Sequence, residues 1–480
     1  MQVASSPEQN PSRLSGGDIR ISMSCVILGW MFGSAFVQLS SGAVYASFAR
    51  QLGVSESTFG FLAGVSPLMG FLQIPAARLL EGRIQPRTMM LWAGLISRSL
   101  WVLGAALPIL NYFLPDIVKR EFLLPGFIVC ILLASIGQAF LSPAFFSWMS
   151  TLIPDRIGPI FWARRQQVGT MAGICVVLLG GYIADQAGMI KESTDGEFTP
   201  LLLYSVILTF AAICGVLDIA SFFRVKQSPA LQAPKASLPP FLDSLKEPLR
   251  DRSVRNYLAF TVMGVLGFST TGPLLWLYCL EFLNWEKTLT GFVITVCPLV
   301  GIMISSRMWG NIAKNYGTKP MLRFSSLLMV FVPVFWLFAL PQSGVPLMVG
   351  IFFSGILAAA YEISNMNFIT RTAPHLPRPT LTALFSICAG VTFALGSWVS
   401  GIVAELTSGF HIELYGMHFV NFHIVLAFSL LPRLINAFYL APRLEEPDSA
   451  GTRETVNEVG ATLAQAYGTK FTRFFEAREE

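Results

Sequence analysis

Charge is scarce in this chain of 480 residues. Asp, Glu, Lys and Arg together make up 13%, about half the roughly 25% usual in soluble proteins, which excludes an ordinary soluble domain. Cysteine pairing is missing as well: Cys25, Cys130, Cys175, Cys214, Cys279, Cys297 and Cys388 contain no Cys-x-x-Cys pair. Each falls in an apolar run, where a free thiol serves as a small buried hydrophobe. The chain has no Gly-x4-Gly-Lys-Ser/Thr loop, so it does not drive its own chemistry with ATP through that motif. It also lacks His-Glu-x-x-His and Gly-x-Ser-x-Gly, the signatures a membrane-embedded hydrolase would show. His411, His418 and His423 are irregularly spaced, and neither a metal nor a cofactor is expected. The first twenty residues lack the basic start, apolar core and small-residue cleavage site of a signal peptide, and are expected to remain as a tail.

What is present is apolar. Hydrophobic residues make up 53% of the chain, arranged in runs long enough to cross a hydrocarbon core of about 30 Å as helices. Twelve spans are predicted, at 22–46, 58–79, 88–110, 122–149, 167–188, 201–223, 256–280, 289–308, 319–340, 345–368, 380–404 and 416–440. Most of the 33 Lys and Arg residues lie in the segments on the side of the termini, and the positive-inside rule places both termini in the cytoplasm. The formal charge of +5 is largely this bias, so nucleic acid is not an expected partner. The lipid bilayer is.

The polar stretch 224–255 divides the chain. It carries Arg224, Lys226, Lys235, Lys246, Arg250, Arg252 and Arg255 together with Pro229, Pro234, Pro239, Pro240 and Pro248. The two sides repeat each other. Gly60 to Gly70 aligns with Gly291 to Gly301 at an offset of 231, with six of eleven positions identical. At an offset of 220, Pro154 falls on Pro374, Gly181 on Gly401, and Tyr182-Ile183-Ala184-Asp185 on Ile402-Val403-Ala404-Glu405. The expected organisation is a tail at 1–20, a six-helix bundle at 21–223, a cytoplasmic linker at 224–255, a second six-helix bundle at 256–440, and a tail at 441–480. That last tail carries an amphipathic pattern from Val456 to Phe474. Repeats of this kind build a central binding site in membrane transporters.

After the eighth span, Gly310-Asn311-Ile312-Ala313-Lys314-Asn315-Tyr316-Gly317-Thr318-Lys319 resembles the loop motif of the major facilitator superfamily. The resemblance extends to the whole 6 + 6 arrangement and its central linker. Between spans two and three the copy is degenerate, keeping Glu81 and Arg83 but not the glycine spacing. Ser147 to Arg156, followed by Arg164 and Arg165, resembles a stretch in a bacterial branch of the superfamily, which implies a bacterial inner membrane. The arginines read as headgroup anchors. The resemblance implies an all-α membrane protein of two pseudo-symmetric six-helix bundles. It also implies a cavity lined by spans one, four, seven and ten, and structural or gating roles for Glu81, Arg83, Gly310, Lys314, Gly317 and Lys319.

Those four spans carry polar faces. Span one has Gly29 and Gly33 four apart, then Ser34, Gln38 and Ser41 on one helical side. Span four has Ser135, Gln138 and Ser142. Span seven has Ser269, Thr270, Gly272, Pro273 and Trp276, with Gly-Pro predicted to interrupt the helix, as cavity-lining membrane helices allow. Span ten has Ser354, Tyr361, Glu362 and Asn365. The candidate substrate-binding set is Ser34, Gln38, Gln138, Ser142, Thr270, Trp276, Tyr361, Glu362 and Asn365. Ionisable residues inside a membrane carry function by default, so Glu362 is the proton-coupling candidate, set against an ion pair with Arg371. Arg98 in span three and Asp218 in span six are expected to form a buried structural pair. The expected activity is secondary transport of a small organic solute by alternating access, leaning to a sugar or glycoside, in a monomer. An exporter of amphipathic compounds, a polytopic enzyme and a non-transporting sensor are the alternatives.

Overall fold

The computed structural model describes residues 16–80, 84–153, 157–193, 200–226, 248–341, 343–372, 378–414 and 417–445. Most of the linker, the C-terminal amphipathic pattern, Glu81, Arg83, Pro154 to Arg156 and Pro374 lie outside these residues.

Among the described residues, twelve helices are long and apolar enough to span a bilayer: α1 (Gly16–Leu39), α2 (Glu56–Leu80), α3 (Pro86–Phe113), α4 (Arg120–Ser150), α5 (Ile160–Gln186), α6 (Pro200–Arg224), α7 (Arg252–Phe282), α8 (Lys287–Tyr316), α9 (Lys319–Leu337), α10 (Val345–Ser364), α11 (Leu381–Leu406) and α12 (Asn421–Arg443). The shortest, at 19 residues, reaches about 29 Å at 1.5 Å per residue, the thickness of the hydrocarbon core. The protein is therefore an all-α multi-pass membrane protein.

Local chemistry sets several boundaries. Asp251 caps α7, its Oδ1 accepting from the Ser253 N–H at 2.8 Å and the Val254 N–H at 3.2 Å, which satisfies two of the orphan donors at a helix start. Gly317 ends α8 with φ +87°, a conformation that favours glycine and explains this residue of the loop motif. In α7 the regular helix runs Arg252–Ser269 and resumes at Leu274–Leu277, because Pro273 has no N–H to continue the ladder. Two boundaries differ from the sequence reading. The first span ends at Leu39, and a separate short helix follows at Ala43–Gln51. The residues before the last span pair as an antiparallel hairpin, His411–Leu414 with Met417–Val420, so α12 begins at Asn421. The His423 ring closes that corner: its Nδ1 accepts from the Val420 N–H at 3.1 Å.

The chain forms two compact units. One comprises Met1–Val54, Leu68–Leu238 and Glu286–Gly291, and the other Ser55–Pro67, Pro239–Trp285 and Phe292–Glu480. The same pairings recur within each. In the first unit α3 packs on α4 and α6, and α1 on α5 and α6; in the second α9 packs on α10 and α12, and α7 on α11 and α12. The first core gathers around Trp148, Met90, Met149 and Phe222. The second gathers around Tyr257, Phe260 and Phe368, with a satellite at Trp309, whose Nε1 donates to the Ile356 carbonyl at 2.9 Å.

Candidate functional site

The first unit is organised around a buried carboxylate. Asp218 of α6 faces the glycine pair of α1: a Cβ at Gly33 would stand 2.6 Å from Asp218 Oδ2, and one at Gly29 3.1 Å from Oδ1. Glycine spacing on α1 is thus what lets a charged side chain lie between two packed helices. Two guanidinium groups lie in its neighbourhood, Arg98 from α3 and Arg165 from α5. Each lies over an aromatic ring. The Cζ of Arg98 is 4.1 Å from the Phe36 ring centre, and that of Arg165 is 4.0 Å from Trp30, with Phe145 and Trp162 at 5.3 and 5.5 Å. Cation–π attraction of this kind strengthens when desolvated. The Nε of both arginines finds no acceptor among the described residues. Arg98 and Asp218, expected as a pair, share this neighbourhood with a third charge, Arg165, and no direct ion pair joins the three among the described residues.

The polar face of α1 turns toward α5. Ser34 is buried and donates to the Gly169 carbonyl at 2.7 Å, and a Cβ at Gly173 would stand 3.0 Å from Gln38 Cγ. On α4, Ser142 Oγ donates to the Gln138 carbonyl at 3.3 Å. The half-buried Gln138 has an Oε1 without a donor among the described residues.

In the second unit, Thr270 is buried at the α7 break and donates to the Gly267 carbonyl at 3.2 Å. Trp276 is half-buried just beyond. Tyr361 lies nearly parallel to Phe260, with ring centres 6.1 Å apart. Its hydroxyl sits where a Cβ on Gly264 would be 3.4 Å away, so α10 and α7 meet through a phenol over a glycine. Glu362 is exposed on α10. The side chains of Asn365 and Arg371 lie outside the described set. Gly310 and Lys314 are exposed near the end of α8, and Lys319 opens α9.

Arg433 of α12 was not singled out from sequence, yet it ties this unit together. It is buried. Its Nε donates to the Gly267 carbonyl at 3.2 Å, its Nη1 to the Met329 carbonyl at 3.1 Å, and its Nη2 to Thr271 Oγ1 at 3.3 Å. Both carbonyls are short of their usual helical donors. Pro333, four residues after Met329, has no N–H to give, and the Thr271 N–H goes instead to the Phe268 carbonyl. One planar fork of donors thus serves two broken helices at once. The legible signal was proline placement, because each helix break leaves an acceptor needing a partner in a medium without water. Arg165 had a signal too, in the tryptophans Trp30 and Trp162.

No curated protein matches the chain at a significant level. Solved structures do match in fold. A mutant of the nucleoside transporter NupG superposes with a TM-score of 0.67 at 13% identity, covering 88% of this chain and 100% of that one. A bacterial homologue of the iron transporter ferroportin, in an inward-facing state, gives 0.64 at 14% identity over 88% and 98%. A D-xylose–proton symporter gives 0.60 at 16% identity, again over 88% and 98%. At such identities the likeness speaks for the fold alone. The model of the Major Facilitator Superfamily matches residues 24–308 and 257–475, and the chain belongs to that family.

Proposed function

We propose that this protein is a secondary active transporter that moves a small, neutral, polar organic solute by alternating access, in a bacterial inner membrane and as a monomer. The observation that carries the reading is the repetition within the molecule: each unit uses the same four helix pairings, the duplicated construction from which alternating-access carriers are made. The solute class follows from the polar groups on the expected lining spans. Gln38 and Gln138 supply amides, with Gln138 Oε1 free of a donor among the described residues. Trp276 and Tyr361 supply aromatic faces. A hydroxylated solute such as a sugar, glycoside or nucleoside offers both the donors and the apolar ring face that such groups recognise. The exposed Glu362 of α10 is the residue assigned to proton coupling.

The test begins with thermal melting of the purified protein against sugars, nucleosides, amino acids and amphipathic cations, since a ligand that binds the folded state raises the midpoint by mass action. A shift with a hydroxylated solute, lost in Gln138→Ala and followed by uptake in proteoliposomes, is the expected outcome. Shifts with amphipathic cations alone would replace this reading with an exporter, and binding without flux would replace it with a sensor. For the hit solute, Glu362→Gln is expected to abolish uphill accumulation while sparing counterflow; accumulation that persists removes Glu362 from coupling.

A further inference from the structure

Arg98, Arg165 and Asp218 share one neighbourhood without a direct bond between them. Arg98 and Asp218 are each only 7% exposed, on helices that cross the hydrocarbon. The stripe Gly29, Gly33 and Phe36 runs along one side of α1 at i, i+4 and i+7, and Asp218 rests on its two glycines. One turn away on α6, a Cβ at Gly215 would stand 2.8 Å from Arg98 Cδ and 3.0 Å from Phe36 Cγ. The Arg98 guanidinium over Phe36 thus occupies the next turn of the same seam, and Arg165 approaches from the far side over Trp30. Three helices bring charge to one place, and each stops short of the others.

A buried carboxylate or guanidinium costs several kcal/mol unless its lone pairs or protons are met. The aromatic rings meet only the guanidinium faces, because cation–π attraction acts through the π cloud and leaves the in-plane N–H groups unspent. Nε of Arg98, Nε of Arg165 and Nε1 of Trp30 are all buried without an acceptor among the described residues. The cluster therefore holds a surplus of donors and one carboxylate, at separations longer than a direct bond. Water both donates and accepts, and where it is buried it makes about three hydrogen bonds to groups of this kind. An anion would suit two cations and one carboxylate, yet Arg165 is only half-buried and is solvated from the membrane surface. What remains inside, Arg98 with Asp218, is already neutral.

We infer that bound water joins Asp218 to Arg98 and Arg165, so that the interior of the first unit holds a water-bridged ion cluster in place of a salt bridge. The helices α3, α5 and α6 then share a partner that none of the three side chains reaches alone. The test is X-ray hydroxyl-radical footprinting of the full chain in detergent, in which radicals formed from bound water label the side chains beside it. Phe36, 4% exposed and under Arg98, is expected to be oxidised several-fold faster than Phe127, which is 0% exposed and set among Tyr45, Phe48 and Trp101. Equal rates would overturn the inference. Asp218→Leu removes the charge and fills the space, and is expected to bring Phe36 down to the Phe127 rate; labelling that persists would show that the carboxylate holds no water, and would overturn it equally. Should that variant fail to fold, Arg98→Leu puts the same question with the same two outcomes. A melting midpoint raised by sodium chloride over sodium gluconate at equal ionic strength, in the wild type but not in Arg98→Leu, would put an anion where we place water and overturn the inference as well.

Discussion

Arg433→Ala is expected to lower the apparent stability of the protein by about 2 kcal/mol: the Met329 carbonyl loses its side-chain donor, at roughly 1–3 kcal/mol, while the Gly267 carbonyl keeps the Thr270 hydroxyl. The carbonyls of Gly267 and Met329 belong to the backbone, so no side-chain substitution removes the need they express. This distinguishes the site from a buried ion pair, which well-packed apolar residues often replace without loss. Arg433→Met keeps most of the length and apolar stem, and is expected to fail nearly as badly as alanine. Arg433→Lys supplies one ammonium where three fork-borne bonds are made, and should recover only part of the loss. Unfolding midpoints in detergent, read by size-exclusion yield after heating, give the comparison. Methionine at wild-type stability would show that packing of the stem, and not carbonyl satisfaction, is what Arg433 provides.

The same residue marks how far the sequence could be read. The twelve spans were legible because an apolar run of membrane length has few other uses, and the repeat was legible because Gly60 to Gly70 and Gly291 to Gly301 still share their residues. The interruption at Gly272 and Pro273 was legible from proline chemistry. Arg433 is legible only by half: Pro273 and Pro333 announce carbonyls short of a helical donor, but no letter says which side chain comes to serve them. Arg165 was misplaced for a related reason: position along a span suggests the headgroups, but whether a cation reaches water or turns onto Trp30 depends on how α1 and α5 approach. Of the hairpin, the strand Met417–Val420 is hidden at the start of the predicted span 416–440, and the strand His411–Leu414, with its His and Glu, reads as loop. Within the candidate site, the sequence gives the residue types on α1 and α4 but not the direction of the α1 face. Ser34 and Gln38 turn to Gly169 and Gly173, small residues whose meaning appears only once the two helices are side by side.

Glycines make the second large effect, and here two opposing terms decide the sign. Gly33→Ala removes backbone freedom from the unfolded chain and should gain up to about 1 kcal/mol in a helix. At Gly33, however, the new Cβ would stand 2.6 Å from Asp218 Oδ2 and 2.9 Å from its Cγ, and overpacking of that kind costs about 1–3 kcal/mol. The clash should win, and the variant is expected to melt lower. Gly310→Ala is the control: nothing lies within 4 Å of its Cβ position, so only the propensity term remains and the midpoint should rise slightly. The mechanism is isolated by a cycle with Asp218→Ala. That substitution alone should be costly, because it takes the one carboxylate in the neighbourhood of Arg98 and Arg165 away from two desolvated cations. It also clears the space that the Gly33 methyl needs, so Gly33→Ala should cost less in the Asp218→Ala background, by a coupling of about 1 kcal/mol or more. Strict additivity of the two substitutions would mean that α1 and α6 adjust elsewhere, and that the glycine pair is not there to admit the charge. A clear coupling would mean that the close approach of α1 to α6 and the burial of Asp218 are one structural decision, written in the sequence as two glycines four residues apart.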